Sequence, residues 1–289
     1  MFVFRLIKLL RMMRLLLAQE ALLPVGFHRQ APLSVRIFRR LFTFGARRFK
    51  DQEGKHELAD FIRRLGPSYI KLGQFLATRP DVIGDAMAAD LGHLQDRLPP
   101  FAAELVDKIL VDELGDYSQH MSKPGPALAA ASIAQVHQAH RPDKADEKLA
   151  VKILRPNIEI TLARELAVFL ALAKCVEWLM PSVRRLRPVA ALELLSRSIQ
   201  GETDLRMEAA ALSEMAANTQ NDKHFTVPAV VWEASTRRVL TMQWIDGTSA
   251  ADIAGLRAAG HDLPALGTRL IRSFLTLALR DGFFHADMH

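Results

Sequence analysis

Two runs between residues 128 and 154 decide how this chain folds. The first is Leu128-Ala129-Ala130-Ala131-Ser132-Ile133-Ala134-Gln135-Val136-His137-Gln138-Ala139; the second is Leu149-Ala150-Val151-Lys152-Ile153-Leu154. A charged turn from Arg141 to Lys148, containing Pro142, joins them. Small residues lead into an alternation of Ile133, Gln135 and His137 with Ala134, Val136 and Gln138, which predicts a strand. The apolar second run predicts another strand, antiparallel to the first. Lys152 sits near the end of that second strand. An ammonium in an apolar strand is costly to desolvate and needs an anion. A carboxylate on one side and a nucleotide phosphate on the other would supply it. An ordinary hairpin whose lysine snorkels to solvent fits the same letters, so the hairpin alone leaves both readings open.

The 289 residues suffice for two lobes, and 49% are hydrophobic, enough for a sizeable core. The one cysteine, Cys175, excludes an intrachain disulfide framework. Flanked by Ala173, Val176 and Trp178, it is read as inert core. Charge is unevenly placed. Residues 1–50 hold eleven Lys/Arg against the single acid Glu20, a net of +10 in a chain whose total is +6, which leaves −4 for the remainder. A basic end on a slightly acidic body points to an anionic surface. No reader motif accompanies the cations, so nucleic acid is not an expected partner.

Met1 to Leu23 is apolar except for Arg5, Lys8, Arg11, Arg14, Gln19 and Glu20. The cations interrupt any run of roughly 18 apolar residues, so the segment is expected to lie in a membrane interface and not to cross it. A helix packed on the body with a solvated basic face is the other reading. No small-x-small site follows, so a cleaved signal peptide is not expected. Helices are predicted over Val35–Phe49, Lys55–Leu65 and from Pro67 through Ala77. In the last, Lys71 and Gln74 share a face and Gly73 between them suggests close approach of another backbone. Asp81–Leu91 and Phe101–Leu114 follow as helices, and Pro124-Gly125-Pro126 is a rigid link into the hairpin.

Beyond it, Glu159–Leu179 and Val189–Ala217 read as long helices. The second carries Glu202, Asp204 and Glu208, with Asp204 and Glu208 on one face. Phe225–Trp232 and Arg238–Trp244 read as strands, Ser249–Ala258 as a helix, and Leu266–Leu279 as a buried helix. The sequence ends His285-Ala286-Asp287-Met288-His289.

A small-residue hairpin, a strand lysine, a helix glutamate, a strand pair leading to a short connector, a helix and then His-x-Asp follow the order of parts in a protein kinase. The details resemble one family, the UbiB-type atypical kinases associated with ubiquinone biosynthesis. Ala129-Ala130-Ala131-Ser132 stands where usual kinases place glycines. Lys71-Leu72-Gly73-Gln74 matches the family's Lys-x-Gly-Gln signature. Glu202-Thr203-Asp204 matches its Glu-x-Asp signature, with Glu208 at the place of the glutamate that pairs the strand lysine. His285 to His289 matches the start of its catalytic loop. The resemblance runs from about residue 20 to the last residue, and four signatures in order are specific.

The resemblance implies an α+β, protein-kinase-like bilobal fold with an N-terminal helical extension and a truncated C-terminal lobe. The expected segments are 1–23, a basic interfacial helix; 24–123, the extension; 124–245, the N-lobe with inserted helices; and 246–289, the start of the C-lobe. Asp287, Lys152 and Glu208 would be catalytic. Residues Ala129, Ala130, Ala131, Ser132, Ile133, Ala134, Gln135, Val136 and His137, with Lys152, Met242 and Trp244, would bind ATP. Lys71 and Gln74 would gate the cleft by meeting Glu202 and Asp204. Mg²⁺ is implied, with its ligands expected beyond His289. Gln243 departs from the acid common in the family's hinge, and the resemblance implies that these residues are the front part of a longer protein, without the family's C-terminal membrane segment. The implied role is an ATP-binding kinase or ATPase supporting ubiquinone biosynthesis at the cytoplasmic face of the bacterial inner membrane. Its partners would be an anionic membrane surface and ubiquinone-biosynthesis enzymes or lipid-like precursors. The alternative is a non-catalytic nucleotide-binding scaffold that organises lipid-modifying enzymes.

Overall fold

A computed structural model describes residues 57–94, 98–144, 146–179 and 181–284, except for the side chains of 57, 58 and 182. The basic segment 1–23, the helix expected over Val35–Phe49 and the His285–His289 signature with Asp287 lie outside the described residues. The chain forms two compact units. Of the described residues, the first comprises 57–100, Ala129–Ala134 and Arg155–Thr203; the second comprises Phe101–Leu128, Gln135–Leu154 and 204–284.

The first unit is helical. α1 is Glu57–Leu65, α2 is Pro67–Ala77, α3 is Pro80–Ile83 and α4 is Asp85–Gly92. α2 starts sharply because Gly66 adopts φ 116°, open to glycine, and Pro67 fixes the first helical φ. The helix expected over Asp81–Leu91 is two helices, interrupted at Gly84 with φ 83°. α6, Ile158–Leu179, and α7, Pro188–Glu202, pack as a hairpin. Tyr69 of α2 is buried edge-on against Phe169 of α6, ring centroids 5.2 Å apart.

The second unit holds α5, Ala103–Leu114, and most of a four-stranded sheet in the order β1 (Ala127–Ala130), β2 (Ala134–His140), β3 (Lys148–Leu154), β4 (Val239–Gln243), of which Ala129, Ala130 and Ala134 are counted with the first. The first of the two expected strands is thus divided into β1 and β2, because the Ala131 N–H donates to Ala134 O and closes a tight turn. β3 and β4 are antiparallel, with Lys152 opposite Leu240. Leu149, Val151 and Ile153 point to one face of the sheet and are fully buried with Val106, Ile109 and Leu110 of α5. Each such side chain contributes about 1.5–3 kcal/mol of hydrophobic stabilisation. Lys152 is on the opposite, half-buried face.

Several expectations are corrected. Val189–Ala217 is not one helix: α7 ends at Glu202 and α8, Leu205–Asn218, starts afresh. Asp204 is extended (φ −124°, ψ 96°) and caps α8 with its side chain. It therefore shares no helix face with Glu208; an aspartate that can cap competes with helix continuation. Phe225–Trp232 is not a strand, since only Val230 makes an isolated bridge, to Met242. Helix α9, Ile253–Ala258, is shorter than expected. Helix α10, Leu263–Thr276, with the π-turn Leu277–Asp281 behind it, carries the apolar spacing of a buried helix. Yet Leu270, Ile271, Leu275 and Leu279 are exposed. Cys175 is likewise exposed, not core, because the last turns of α6 face solvent.

Candidate functional site

α8 is anchored beside β4: its first residue donates from the Leu205 N–H to Arg237 O at 2.9 Å, and Leu205 and Ala209 are buried. Glu208, one turn in, then reaches β3. Lys152 Nζ donates to both carboxylate oxygens, at 2.8 Å to Oε1 and 2.7 Å to Oε2. An ammonium carries three N–H donors, and Glu208 takes two. The side chains are 25% and 40% exposed, so the pair lies at a surface from which a further acceptor can approach Lys152.

At the end of β4 the backbone is more occupied than the sequence suggests. The Gln243 N–H donates to Ala229 O at 2.8 Å and the Trp244 N–H to Lys148 O at 3.1 Å. Trp244 Nε1 donates to Asp246 at 2.7 Å, and that bond, with Lys148 nearby, holds the Asp246 carboxyl below its ordinary pKa. Of the two expected base-binding residues, Met242 is half-buried and paired within the sheet.

Gln135 and His137 are interior residues of β2. The Phe101 N–H donates to Gln135 Oε1 at 2.9 Å, which turns the amide nitrogen toward His137 Nε2, 2.8 Å away. His137 Nε2 therefore accepts, and Nδ1 carries the proton and donates to Gly125 O at 2.7 Å. Both side chains are occupied in fastening β2 to the segments around Phe101 and Gly125.

In the first unit, Lys71 of α2 pairs with Glu202 at the end of α7 at 2.7 Å. Gln74 donates to Leu94 O at 3.1 Å. Gly73 lies between them because a Cβ there would overlap the Leu94 side chain, with Ile62 also at contact distance. The close neighbour is thus a side chain, not the backbone expected. Asp204, which is counted with the second unit, is held by Arg206: Nε donates to Oδ1 at 2.9 Å and an Nη to Oδ2 at 2.6 Å. Those bonds keep its carboxyl below the ordinary range.

The Ala129–Ala134 turn also belongs to the first unit. Ala129 is exposed, Ala130 and Ala131 are half-buried, and Ser132, Ile133 and Ala134 are buried. Ser132 Oγ is fully buried without a hydrogen-bond partner. Arg155 fastens this turn: its N–H donates to Ile133 O at 2.8 Å, Nε to Ala131 O at 3.0 Å and an Nη to Pro99 O at 2.9 Å. Burial lowers its pKa from the ordinary value. In the sequence, Arg155-Pro156 marks only the end of a strand. The signal available was an arginine directly after an apolar strand, where its fork can reach carbonyls of a neighbouring turn. Among the described residues, no group of three His, Cys, Asp or Glu is placed to hold a metal ion.

Residues 93–289 match the family model of the ABC1 atypical kinase-like domain. The chain belongs to the ABC1 atypical kinase-like family. Its α+β fold, a small antiparallel sheet with helices, is therefore kinase-like. Among relatives, a protein named probable protein kinase UbiB from Pseudomonas paraeruginosa is 38% identical over 233 residues, 79% of this chain and 43% of that one. Another of the same name from Tolumonas auensis is 36% identical over 263 residues, 89% and 48% of the two chains. A solved Mycobacterium tuberculosis structure, the Rv3197–erythromycin complex, is 28% identical with a TM-score of 0.47, covering 66% of this chain and 48% of that one. This ABC1 chain thus spans about half the length of the curated relatives it matches. The family match takes in the hairpin, Lys152, Glu202 and Glu208; Lys71 and Gln74 lie before it.

Proposed function

We propose that this chain is the nucleotide-handling part of an ATP-dependent atypical kinase or ATPase that supports ubiquinone biosynthesis at a membrane. The observation that carries this reading is the Lys152–Glu208 pair. A lysine held by two carboxylate contacts is oriented and keeps one N–H for a phosphate oxygen. Lys152 would hold the phosphates, Glu208 would orient Lys152, and Asp287 would accept the proton of the attacking group. The purine would meet Met242 and backbone beyond Trp244, because the N–H groups at 243 and 244 are already donated. Bound ATP supplies the phosphoryl group, and Mg²⁺ enters as its counter-ion. The cations of residues 1–23 favour an anionic membrane surface as the place of work. No described helix is long and apolar enough to cross a membrane.

The test is calorimetry of Mg²⁺ with ATP on the wild type and Lys152→Ala. The reading expects binding that the variant weakens at least tenfold; equal affinity in both sinks it. The alternative is a nucleotide-binding scaffold without turnover. Phosphate release by the relative's full-length protein, abolished by the matching lysine substitution, decides for the enzyme.

A further inference from the structure

Helices α6 and α7 form a hairpin whose closed end, residues 171–189, sets two exposed apolar side chains among cations. Trp178 is 74% exposed and Leu179 62%. Such apolar area is seldom left open to water without a partner. Around them Lys174, Arg184, Arg185 and Arg187 are all exposed. The stretch 171–189 contains these four cations and one acid, Glu177, a net of +3. The rest of the chain after residue 50 then nets −7.

The single acid is turned to structural use. Glu177 Oε1 accepts the Val189 N–H at 3.2 Å at the start of α7, and Glu177 O accepts from Arg184 Nε at 2.9 Å. These bonds tie the two helices across their connection. The connection itself is a 3-10 turn, Pro181–Leu186, followed by Arg187 in the left-handed region (φ 48°, ψ 51°) and Pro188 at the first position of α7. Two prolines and the cross-ties hold the tip in one shape, so little ordering entropy is lost when it meets a surface.

We propose that this tip is a docking surface for an anionic lipid bilayer, with Trp178 and Leu179 entering the headgroup boundary and Lys174, Arg184, Arg185 and Arg187 on lipid phosphates. The indole suits that boundary because one edge is apolar and its N–H takes a wet partner. A cation near an anionic membrane surface contributes about 1 kcal/mol. An acidic protein would match the charge but would not explain an open tryptophan and leucine beside it. The inference shares the membrane setting proposed above but rests on different residues from the 1–23 segment.

The experiment uses the full chain with Trp232→Phe and Trp244→Phe, which leaves Trp178 as the one tryptophan, excited at about 295 nm to spare the tyrosines. It is mixed with vesicles of neutral phosphatidylcholine, or of phosphatidylcholine with an anionic phospholipid, and both sedimentation and emission are read. The proposal expects Trp178 emission to shift to the blue and to be quenched by brominated acyl chains, with anionic vesicles only. Arg184→Gln with Arg185→Gln should weaken partition about 30-fold, and Trp178 quenching should fade as salt rises to 0.5 M or so. Circular dichroism of each variant confirms that the hairpin is folded. Co-sedimentation with unmoved Trp178 emission overturns the tip while leaving residues 1–23 as the membrane contact. No sedimentation overturns both. Blue shift with soluble polyglutamate but not with vesicles assigns the tip to an acidic polypeptide and overturns the lipid reading.

Discussion

Glu208 and Lys152 offer the sharpest test of how the second unit is built. The perturbation is a double-mutant cycle of Lys152→Met and Glu208→Gln, each close in size to the residue replaced. The charges are bonded at 2.7 and 2.8 Å. Unit charges about 4 Å apart interact by roughly 4 kcal/mol at an effective dielectric of 20 and about 1 kcal/mol in water. With side-chain exposures of 25% and 40%, screening pulls the coupling toward the lower figure, about 1 kcal/mol. Each single variant should cost about 1–3 kcal/mol, because it leaves the partner's polar atoms without their bonds. The double variant should cost less than the two singles combined. Urea unfolding followed by the emission of Trp232 and Trp244, both in the second unit, reads the four stabilities. Costs that add to within ~0.3 kcal/mol would mean the two groups do not interact, and the orientation of Lys152 would lose its physical basis.

Three further outcomes follow from the geometry. Asp204→Ala should cost about 1 kcal/mol by removing the α8 cap. Asp204→Asn should keep the cap but lose the pH-dependent part. The Asp204 carboxyl is held below its unfolded value by Arg206. Its contribution is therefore complete above the ordinary carboxylate range and disappears as pH falls through the lowered folded value, which acid titration of stability in both proteins measures. Gly73→Ala should gain about 0.5–1 kcal/mol of helix propensity and lose about 1–3 kcal/mol to overlap with Leu94. A net loss in thermal melting is expected, reversed in part by Leu94→Val. Gln135→Leu removes the donor to buried His137 Nε2 and should destabilise by about 2 kcal/mol. By ¹⁵N NMR the His137 Nε2 resonance should shift while the Nδ1–H bonded to Gly125 O persists.

The parts of the fold written in local periodicity were legible in the sequence. The apolar spacing of α2, α5 and α6 and the continuous apolar run of β3 placed those elements within a few residues. That Lys152 needs a carboxylate was legible too, because a strand ammonium must be neutralised; that a helix glutamate, Glu208, supplies it was implied by the family resemblance. What was not legible depends on partners distant in the chain. Whether the leucines of α10 are covered is not encoded in their spacing, and neither is the exposure of Cys175 and Trp178. Val189–Ala217 looked continuous because Thr203 and Asp204 cost a helix only modestly; their hydrogen bonds, to Ile199 O and from Arg206, settle the break. Arg155 was passed over for the same reason. Its acceptors, Pro99 and Ala131, lie 56 and 24 residues away.

The lone thiol of Cys175 stands in the open, on the same last turns of α6 as Trp178. Because the chain contains no other cysteine, maleimide or nitroxide reagents should attach at a single place without prior mutagenesis. A spin probe there would report immersion depth through its relaxation by oxygen and by nickel chelates. The same accessibility means that purified material kept in air should accumulate disulfide-linked pairs, so a reductant belongs in every buffer until the label is added.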